Sequence, residues 1–244
     1  MHAFLLIGQS NMAGRGYLQE ATPIDTSRLY TLRNGRWQKL FRPIHPDRKF
    51  SGVCLGESFA EAYAKKHNVD VGLVCCADGG TSLNQWQPGK VLFDNAVFQA
   101  KLAMRSATLA GILWHQGEAD TDHPQCDTYA QRLTPILLAL RKELGEDIPI
   151  LVGGLGDFLK DCPLDPTLKN YSIVNDALQQ VAIRQPLIGF VSAEGLKSNP
   201  DQLHFCAASL YEFGLRYFEA FEKIGVIPSV ADAPQQAATP MEHL

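Results

Sequence analysis

Ala3-Phe4-Leu5-Leu6-Ile7-Gly8-Gln9-Ser10-Asn11-Met12-Ala13-Gly14 is the stretch that decides the fold. Five apolar residues running into Gly8 read as a buried strand that breaks into a sharp turn. Ser10 then stands where the chain leaves the sheet edge, with small residues leaving room for something to approach its hydroxyl. Loops at strand ends are where open parallel sheets bind ligands. A hydroxyl in that place becomes a nucleophile only if a base and an oxyanion site reach it from elsewhere in the chain. Otherwise it is an ordinary strand-to-loop serine.

Outward from this stretch, the chain alternates strand and helix signals. Asn34-Gly35 between Leu29-Tyr30-Thr31-Leu32 and Trp37-Gln38-Lys39-Leu40 is a strong short-range hairpin signal. It predicts a small hairpin inserted between the first strand and the first helix. Apolar spacing at Leu55, Phe59, Ala62 and Tyr63 predicts a helix over 55–67, followed by a strand over 69–76. The turn-rich Asp78-Gly79-Gly80-Thr81-Ser82 comes next. A helix over 94–109, capped by Asp94, leads to a strand over 110–114 that ends in His115-Gln116-Gly117-Glu118-Ala119-Asp120. Helices over 127–144, stopped by Gly145, and over 171–184 are separated by a strand over 148–155. A fifth strand over 187–192, a loop carrying Asp201-Gln202-Leu203-His204, and a helix over 207–224 complete the pattern. Five strands alternating with helices imply an α/β fold, a five-stranded parallel sheet with helices on both faces. Residues 1–227 read as one domain. Residues 228–244, rich in Pro, Gln and Ala and without periodicity, read as a C-terminal tail.

The bulk properties narrow the function. At 244 residues, such a chain buries roughly 70% or more of its unfolded surface, so it needs no covalent staples. A net charge of −4 with no basic cluster argues against nucleic acid as a partner. No apolar stretch approaches the length of a membrane span, so no membrane partner is expected. The N-terminus lacks a basic region followed by a long apolar core, and the expected compartment is the cytoplasm. The six cysteines (Cys54, Cys75, Cys76, Cys126, Cys162 and Cys206) form no C-x-x-C pair and read as free thiols.

Four polar segments fall at carboxyl ends of strands: Ser10, Asp78 to Ser82, His115 to Asp120, and Asp201 to His204. In a parallel sheet these ends share one edge, so residues distant in sequence meet in one cleft. Together they meet the needs of acyl transfer. Ser10 attacks an ester carbonyl, His204 takes its proton and returns it to the leaving alcohol, and Asp201 holds the imidazole tautomer. The backbone N–H groups of Ser10 and Gly79 and the amide of Gln116 are the oxyanion donors expected. Losing one such donor typically costs about 100- to 1000-fold in rate.

Gly8-Gln9-Ser10-Asn11-Met12, Gly79-Gly80-Thr81-Ser82, His115-Gln116-Gly117-Glu118 and the late Asp201-x-x-His204 resemble the motif blocks of the SGNH hydrolase superfamily. The branch they resemble is carbohydrate esterase family 6, the sialate O-acetylesterase-like domain that also includes acetylxylan esterases. The blocks span residues 8 to 204. The resemblance implies a three-layer α/β/α sandwich of flavodoxin-like type and hydrolysis of acetyl esters on sugars, with no metal or cofactor. It places Ser10 at the nucleophile, Gly79 at the second-block glycine and Gln116 where other branches carry Asn. Gly80 is the alternative loop donor, and Glu118 is the alternative to Asp201 as the acid. The expected partner is a small-molecule or oligosaccharide acetyl ester; the sequence leaves the sugar and the oligomeric state open. Two other readings stand beside this one: a short-chain lipid or thioester hydrolase on the same machinery, and a non-catalytic carbohydrate-binding protein.

The remaining polar and aromatic residues have plainer readings. His115 is expected to hydrogen-bond structurally at its strand end. Asp120, Asp122 and His123 have no recognised metal spacing and read as a solvated loop. Trp86 reads equally as a sugar-stacking platform or a packing lid, and Trp114 as buried with its strand. Arg15 and Asn11 are expected to orient the Ser10 loop.

Overall fold

The computed structural model describes residues 1–226, so the tail read over 228–244 lies outside the described residues. The first strand, β1 (His2–Gly8), is buried along its whole length. Its side chains alternate: Ala3, Leu5 and Ile7 enter one apolar core, and Phe4 and Leu6 enter the other. That division is the period of two of a strand covered on both faces. A single turn of helix, α1 (Ser10–Ala13), follows directly.

The chain then makes β2 (Leu29–Arg33), β3 (Arg36–Lys39), α2 (Leu55–His67), β4 (Val71–Cys75), α3 (Val91–Ala103) and β5 (Thr108–His115). It continues through α4 (Tyr129–Leu144), β6 (Ile150–Gly153), α5 (Tyr171–Arg184), β7 (Ile188–Val191) and α6 (Ala207–Ile224). Helices α3, α4 and α5 cover one face of the sheet through Phe93, Leu133, Ile136, Leu137 and Val174. Helices α2 and α6 cover the other through Phe59, Tyr63, Phe213, Tyr217 and Phe221. The result is the expected three-layer α/β/α sandwich.

The sheet has seven strands in the order β3-β2-β4-β1-β5-β6-β7, not five. Strand β2 joins β4 in parallel at Leu29 to Thr31, and β3 runs antiparallel to β2 as the edge. A hairpin signal is local and says nothing of what its outer strand pairs with. Leu29 and Thr31 are fully buried, and the Trp37 ring lies against Gly72 of β4, where any side chain would collide with it. Burial therefore draws the hairpin into the sheet.

Two helices also differ from expectation in their bounds. Helix α3 begins after Lys90, and Asp94 lies inside its first turn, accepting from the Gly89 N–H. It stops at Ala103 rather than 109, because Thr108 and Leu109 are taken up by pairing with His2 and Ala3 of β1. Residues 126–128 form a tight 3₁₀ turn, so α4 starts at Tyr129.

The chain leaves β1 toward β4 on one side and toward β5 on the other, which puts the switch in strand order at the carboxyl end of β1. Gly8 closes that strand at φ +130°, and a Cβ there would overlap the His115 carbonyl of β5. Only glycine allows the turn that sets Ser10 above the sheet edge.

Candidate active site

Ser10 opens α1, with its side chain on the carboxyl edge of the sheet and 8% of the residue exposed. The loop between β7 and α6 brings His204 to it: His204 Nε2 lies 3.1 Å from Ser10 Oγ. On the far side of the ring, Nδ1 lies 2.7 Å from Asp201 Oδ2. The other oxygen, Asp201 Oδ1, accepts the backbone N–H groups of Leu203 and His204, both at 3.0 Å. Partial burial opposes the Asp201 charge, but those two N–H groups and the imidazole outweigh it and hold the carboxyl below its usual range. A carboxylate fixed at both oxygens orients the ring that faces Ser10.

Asn11 ties this loop to the rest of the site. Its Oδ1 accepts from the Phe205 N–H at 3.0 Å, and its Nδ2 donates to the Leu203 carbonyl at 3.2 Å. The residues on either side of His204 are therefore both held by one amide. Asn11 Nδ2 also donates to Glu118 Oε1 at 2.6 Å. Glu118 is buried, and its Oε1 stands 3.4 Å from His115 Nε2. Desolvation raises the Glu118 carboxyl, yet His115 and Asn11 lower it further, and the net shift is downward. Glu118 thus reaches the Ser10 site through Asn11, while the imidazole of His204 takes its carboxylate from Asp201. His115, fully buried and edge-on to Phe205 and Phe213, is held at its strand end by packing rather than by the hydrogen bond expected of it, since neither ring nitrogen meets a hydrogen-bond partner.

The glycine loop reaches Ser10 as the sequence implied. A Cβ on Gly79 would stand 3.6 Å from Ser10 Cβ and press on the Arg15 guanidinium. Its N–H, however, donates to Asp47 Oδ2 at 3.0 Å. Gly80 follows at φ +77° with open space beside its Cα. The Gln116 amide departs from its expected role. It is fully buried, and its two hydrogens are already shared among Asp120 Oδ2 (2.7 Å), the Thr81 carbonyl (3.0 Å) and Gln9 Oε1 (3.2 Å). No N–H remains for an oxyanion, so Gln116 acts here as a prop between the glycine loop and the Ser10 turn.

Asp120 is the second correction. It is fully buried rather than solvated, accepting from Gln116 and the Leu83 N–H and pairing with Arg132 at 2.8 Å. A sequence pattern cannot show this, because Leu83 and Arg132 come from other segments. Trp86 is buried at 1% exposure, edge-on to Trp114 and bonded through Nε1 to Thr81 Oγ1 at 3.0 Å. Of its two readings, the packing lid is the one realised.

Sequence reasoning missed Asp47. Its carboxylate forks onto Arg15 at 2.7 and 3.1 Å, accepts from Ser51 Oγ at 2.7 Å and holds the Gly79 N–H. Burial opposes its charge, but Arg15 and Ser51 overcome this and keep the carboxyl low. Asn199 Nδ2 secures the same turn through the Arg15 carbonyl at 2.9 Å. The available signal was only Pro46-Asp47, a turn dipeptide 32 residues from its guanidinium. Above Arg15, 5.2 Å from its guanidinium carbon, stands the ring of Phe50, 69% exposed. No metal-ligand group of three or more His, Cys, Asp or Glu includes Ser10's partners among the described residues.

A family profile described as carbohydrate esterase, sialic acid-specific acetylesterase matches residues 1–223. A probable carbohydrate esterase of Arabidopsis thaliana is 28% identical over 249 residues, covering 89% of each chain. The crystal structure of that Arabidopsis protein superposes with a TM-score of 0.81 at 26% identity, over 91% of this chain and 98% of the other. NanS (TM-score 0.72, 17% identity, 92% of this chain and 97% of the other) shares the fold. So does a carbohydrate acetylesterase from Xanthomonas citri (TM-score 0.66, 17% identity, 91% of this chain and 56% of the other).

Proposed function

Because the chain belongs to the carbohydrate esterase family described as sialic acid-specific acetylesterase, and so is a carboxylic ester hydrolase, we propose that it removes O-acetyl groups from a sugar through Ser10, His204 and Asp201. The observation that carries this reading is one imidazole bridging a hydroxyl at 3.1 Å and a carboxylate at 2.7 Å. His204 Nε2 takes the Ser10 proton as Oγ bonds to the acetyl carbonyl carbon. Asp201 holds the proton on Nδ1 and stabilises the imidazolium. The tetrahedral adduct collapses as His204 returns the proton to the departing sugar hydroxyl, leaving acetyl-Ser10. Water, deprotonated by the same imidazole, then releases acetate.

The growing negative charge needs N–H donors already in place. Ser10 starts a helical turn, and the first N–H groups of a helix have no acceptor within it. We assign the loop donor to Gly80, since the Gly79 N–H is held by Asp47. Phe50 is the exposed aromatic ring beside the site and offers a face on which a sugar can rest. The family description makes an O-acetylated sialic acid the first substrate to try.

Acetate release is to be measured from p-nitrophenyl acetate, a longer-chain p-nitrophenyl ester, acetylated xylo-oligosaccharide and O-acetylated sialic acid. Ser10→Ala is expected to abolish turnover of all four while keeping the circular dichroism and melting curve of the parent. One acetylated sugar is expected to be cleaved far faster than the rest. Full activity in folded Ser10→Ala overturns the nucleophile assignment, and preference for the longer acyl chain overturns the sugar-ester reading.

A further inference from the structure

A second set of chemically active side chains lies outside the Ser10 site, where the segment after Asp120 turns into α4. His123, Cys126 and Asp127 each present one ligand atom, and these atoms lie within 4.8 Å of one another. Cys126 Sγ is 3.5 Å from His123 Nδ1 and 4.0 Å from Asp127 Oδ1. His123 Nδ1 is 2.7 Å from Asp127 Oδ2. From these three residues we infer a surface site for a single divalent zinc ion, bound through an imidazole nitrogen, a thiolate and a carboxylate.

One of the three distances is already what a tetrahedral centre asks for, and the other two lie within about 1 Å of it. Zinc–sulfur bonds of about 2.3 Å and zinc–nitrogen or –oxygen bonds of about 2.0–2.2 Å place neighbouring ligand atoms roughly 3.3–3.6 Å apart. The sulfur–nitrogen edge already has that length. The sulfur–oxygen edge must close slightly, and the histidine–aspartate contact must open by less than about 1 Å; both are rotations of side chains about half exposed. The donor set also selects the ion. A thiolate beside an imidazole and a carboxylate is borderline in softness, which favours zinc and its neighbours over magnesium or calcium.

The backbone that carries the ligands is fixed. The Cys126 N–H donates to the Asp122 carbonyl at 3.0 Å, and Thr128 Oγ1 donates to the Pro124 carbonyl at 3.0 Å. Cys126 is buried, yet it and Asp127 line a cavity of about 560 Å³ between α4 and α5, with Gln131, Asp176 and Gln180 on its walls. The cavity gives an ion a way in and gives water room to fill a fourth position. Binding would replace the thiol proton with the metal and release it to solvent. The ion would clamp the segment between Asp120 and α4, and Asp120 in turn holds Gln116 and Leu83 beneath the Ser10 turn. The site is a brace, not part of the acyl-transfer machinery.

The test titrates the metal-free, reduced full chain with Zn²⁺ by calorimetry and with Co²⁺ by absorption spectroscopy. The expected result is one ion per chain, proton release, a thiolate-to-cobalt charge-transfer band with tetrahedral d–d bands, and a melting temperature that rises to saturation with zinc. Cys126→Ser should remove the charge-transfer band. His123→Ala, at an exposed position outside the core, should weaken binding about 100-fold or more, since even outer partners of a metal site are worth about 10- to 100-fold. A charge-transfer band that survives Cys126→Ser, or zinc affinity unchanged in His123→Ala, overturns the site. So does the absence of stoichiometric binding by the parent chain, which would leave the three side chains as a surface ion pair beside a thiol.

Discussion

At the level of single residues, the two carboxylates considered for the proposed triad acid have different neighbours. Asp201 Oδ2 is 2.7 Å from the His204 ring, whereas Glu118 Oε1 is 2.6 Å from Asn11 Nδ2. Asp201→Asn should keep the fold but lower kcat by about 10⁴-fold, because an amide favours the wrong tautomer of the imidazole. Glu118→Gln keeps an acceptor for Asn11 and loses the charge that faces both Asn11 and His115. The difference between a charged and a neutral hydrogen bond is about 1.4 kcal/mol, so activity should fall about tenfold. Rates on p-nitrophenyl acetate check both, and the reverse order would move the acid to Glu118. That Ser10, His204 and Asp201 come together was legible because each lies in a short polar block at a strand end. Gln116 was legible as a polar group at the right strand end, but not the saturation of its amide. That depends on Gln9, Thr81 and Asp120 together.

The elements were legible wherever one face of periodic apolar residues meets a single partner. The bounds of α2, α5 and α6 agree with the spacing of their buried residues. What spacing does not show is how closely two helices approach. Helices α2 and α6 cross at Gly214, where a Cβ would overlap both the Leu55 carbonyl and Ser58 Oγ. Ser58 Oγ itself donates to the Tyr211 carbonyl at 2.8 Å, which fixes the two helices at that separation. Alanine in place of a mid-helix glycine gains about 1 kcal/mol in propensity. Overpacking against a carbonyl that cannot move costs about 1–3 kcal/mol and forces the helices apart. Gly214→Ala should therefore destabilise the chain on balance, lowering its Tm by up to about 8 °C as read by calorimetry. A higher Tm would mean that the crossing has slack. Helix α3 shows the converse limit: its signal ran on to 109 because nothing local reports that Thr108 pairs with β1.

Across the whole molecule, the parts that escaped the sequence are those set by long-range burial: the pairing of the predicted hairpin with β4 and the segment from Phe41 to Gly52. That segment has no periodicity, yet it carries Asp47 onto Arg15 and Gly79 and tucks His45 inside. Burial pushes the His45 imidazole down to about 4 from an ordinary value of 6.5, against the attraction of Asp47. The consequence for the chain is an acid-sensitive stability. Above pH 6.5, His45 is neutral in both the folded and unfolded states and contributes nothing to pH dependence. As pH falls below 6.5, the unfolded chain binds a proton there and the folded chain does not, so folding loses free energy until about pH 4. At about 1.4 kcal/mol per pH unit, the full window amounts to about 3 kcal/mol. Asp47 acts in a lower window. Its carboxyl is held below the usual range, so the stability it lends is present above the unfolded value near 3.9 and is lost only as pH falls further. Urea unfolding at pH 7, 6, 5 and 4.5 separates the two. His45→Gln removes the titrating group, and its stability should fall about 2–3 kcal/mol less than the parent's between pH 7 and 4.5. Parallel pH profiles for the two proteins would place the acid sensitivity elsewhere. A shallower profile in His45→Gln would make the brace of the Gly79 loop the first part of the fold to feel acid.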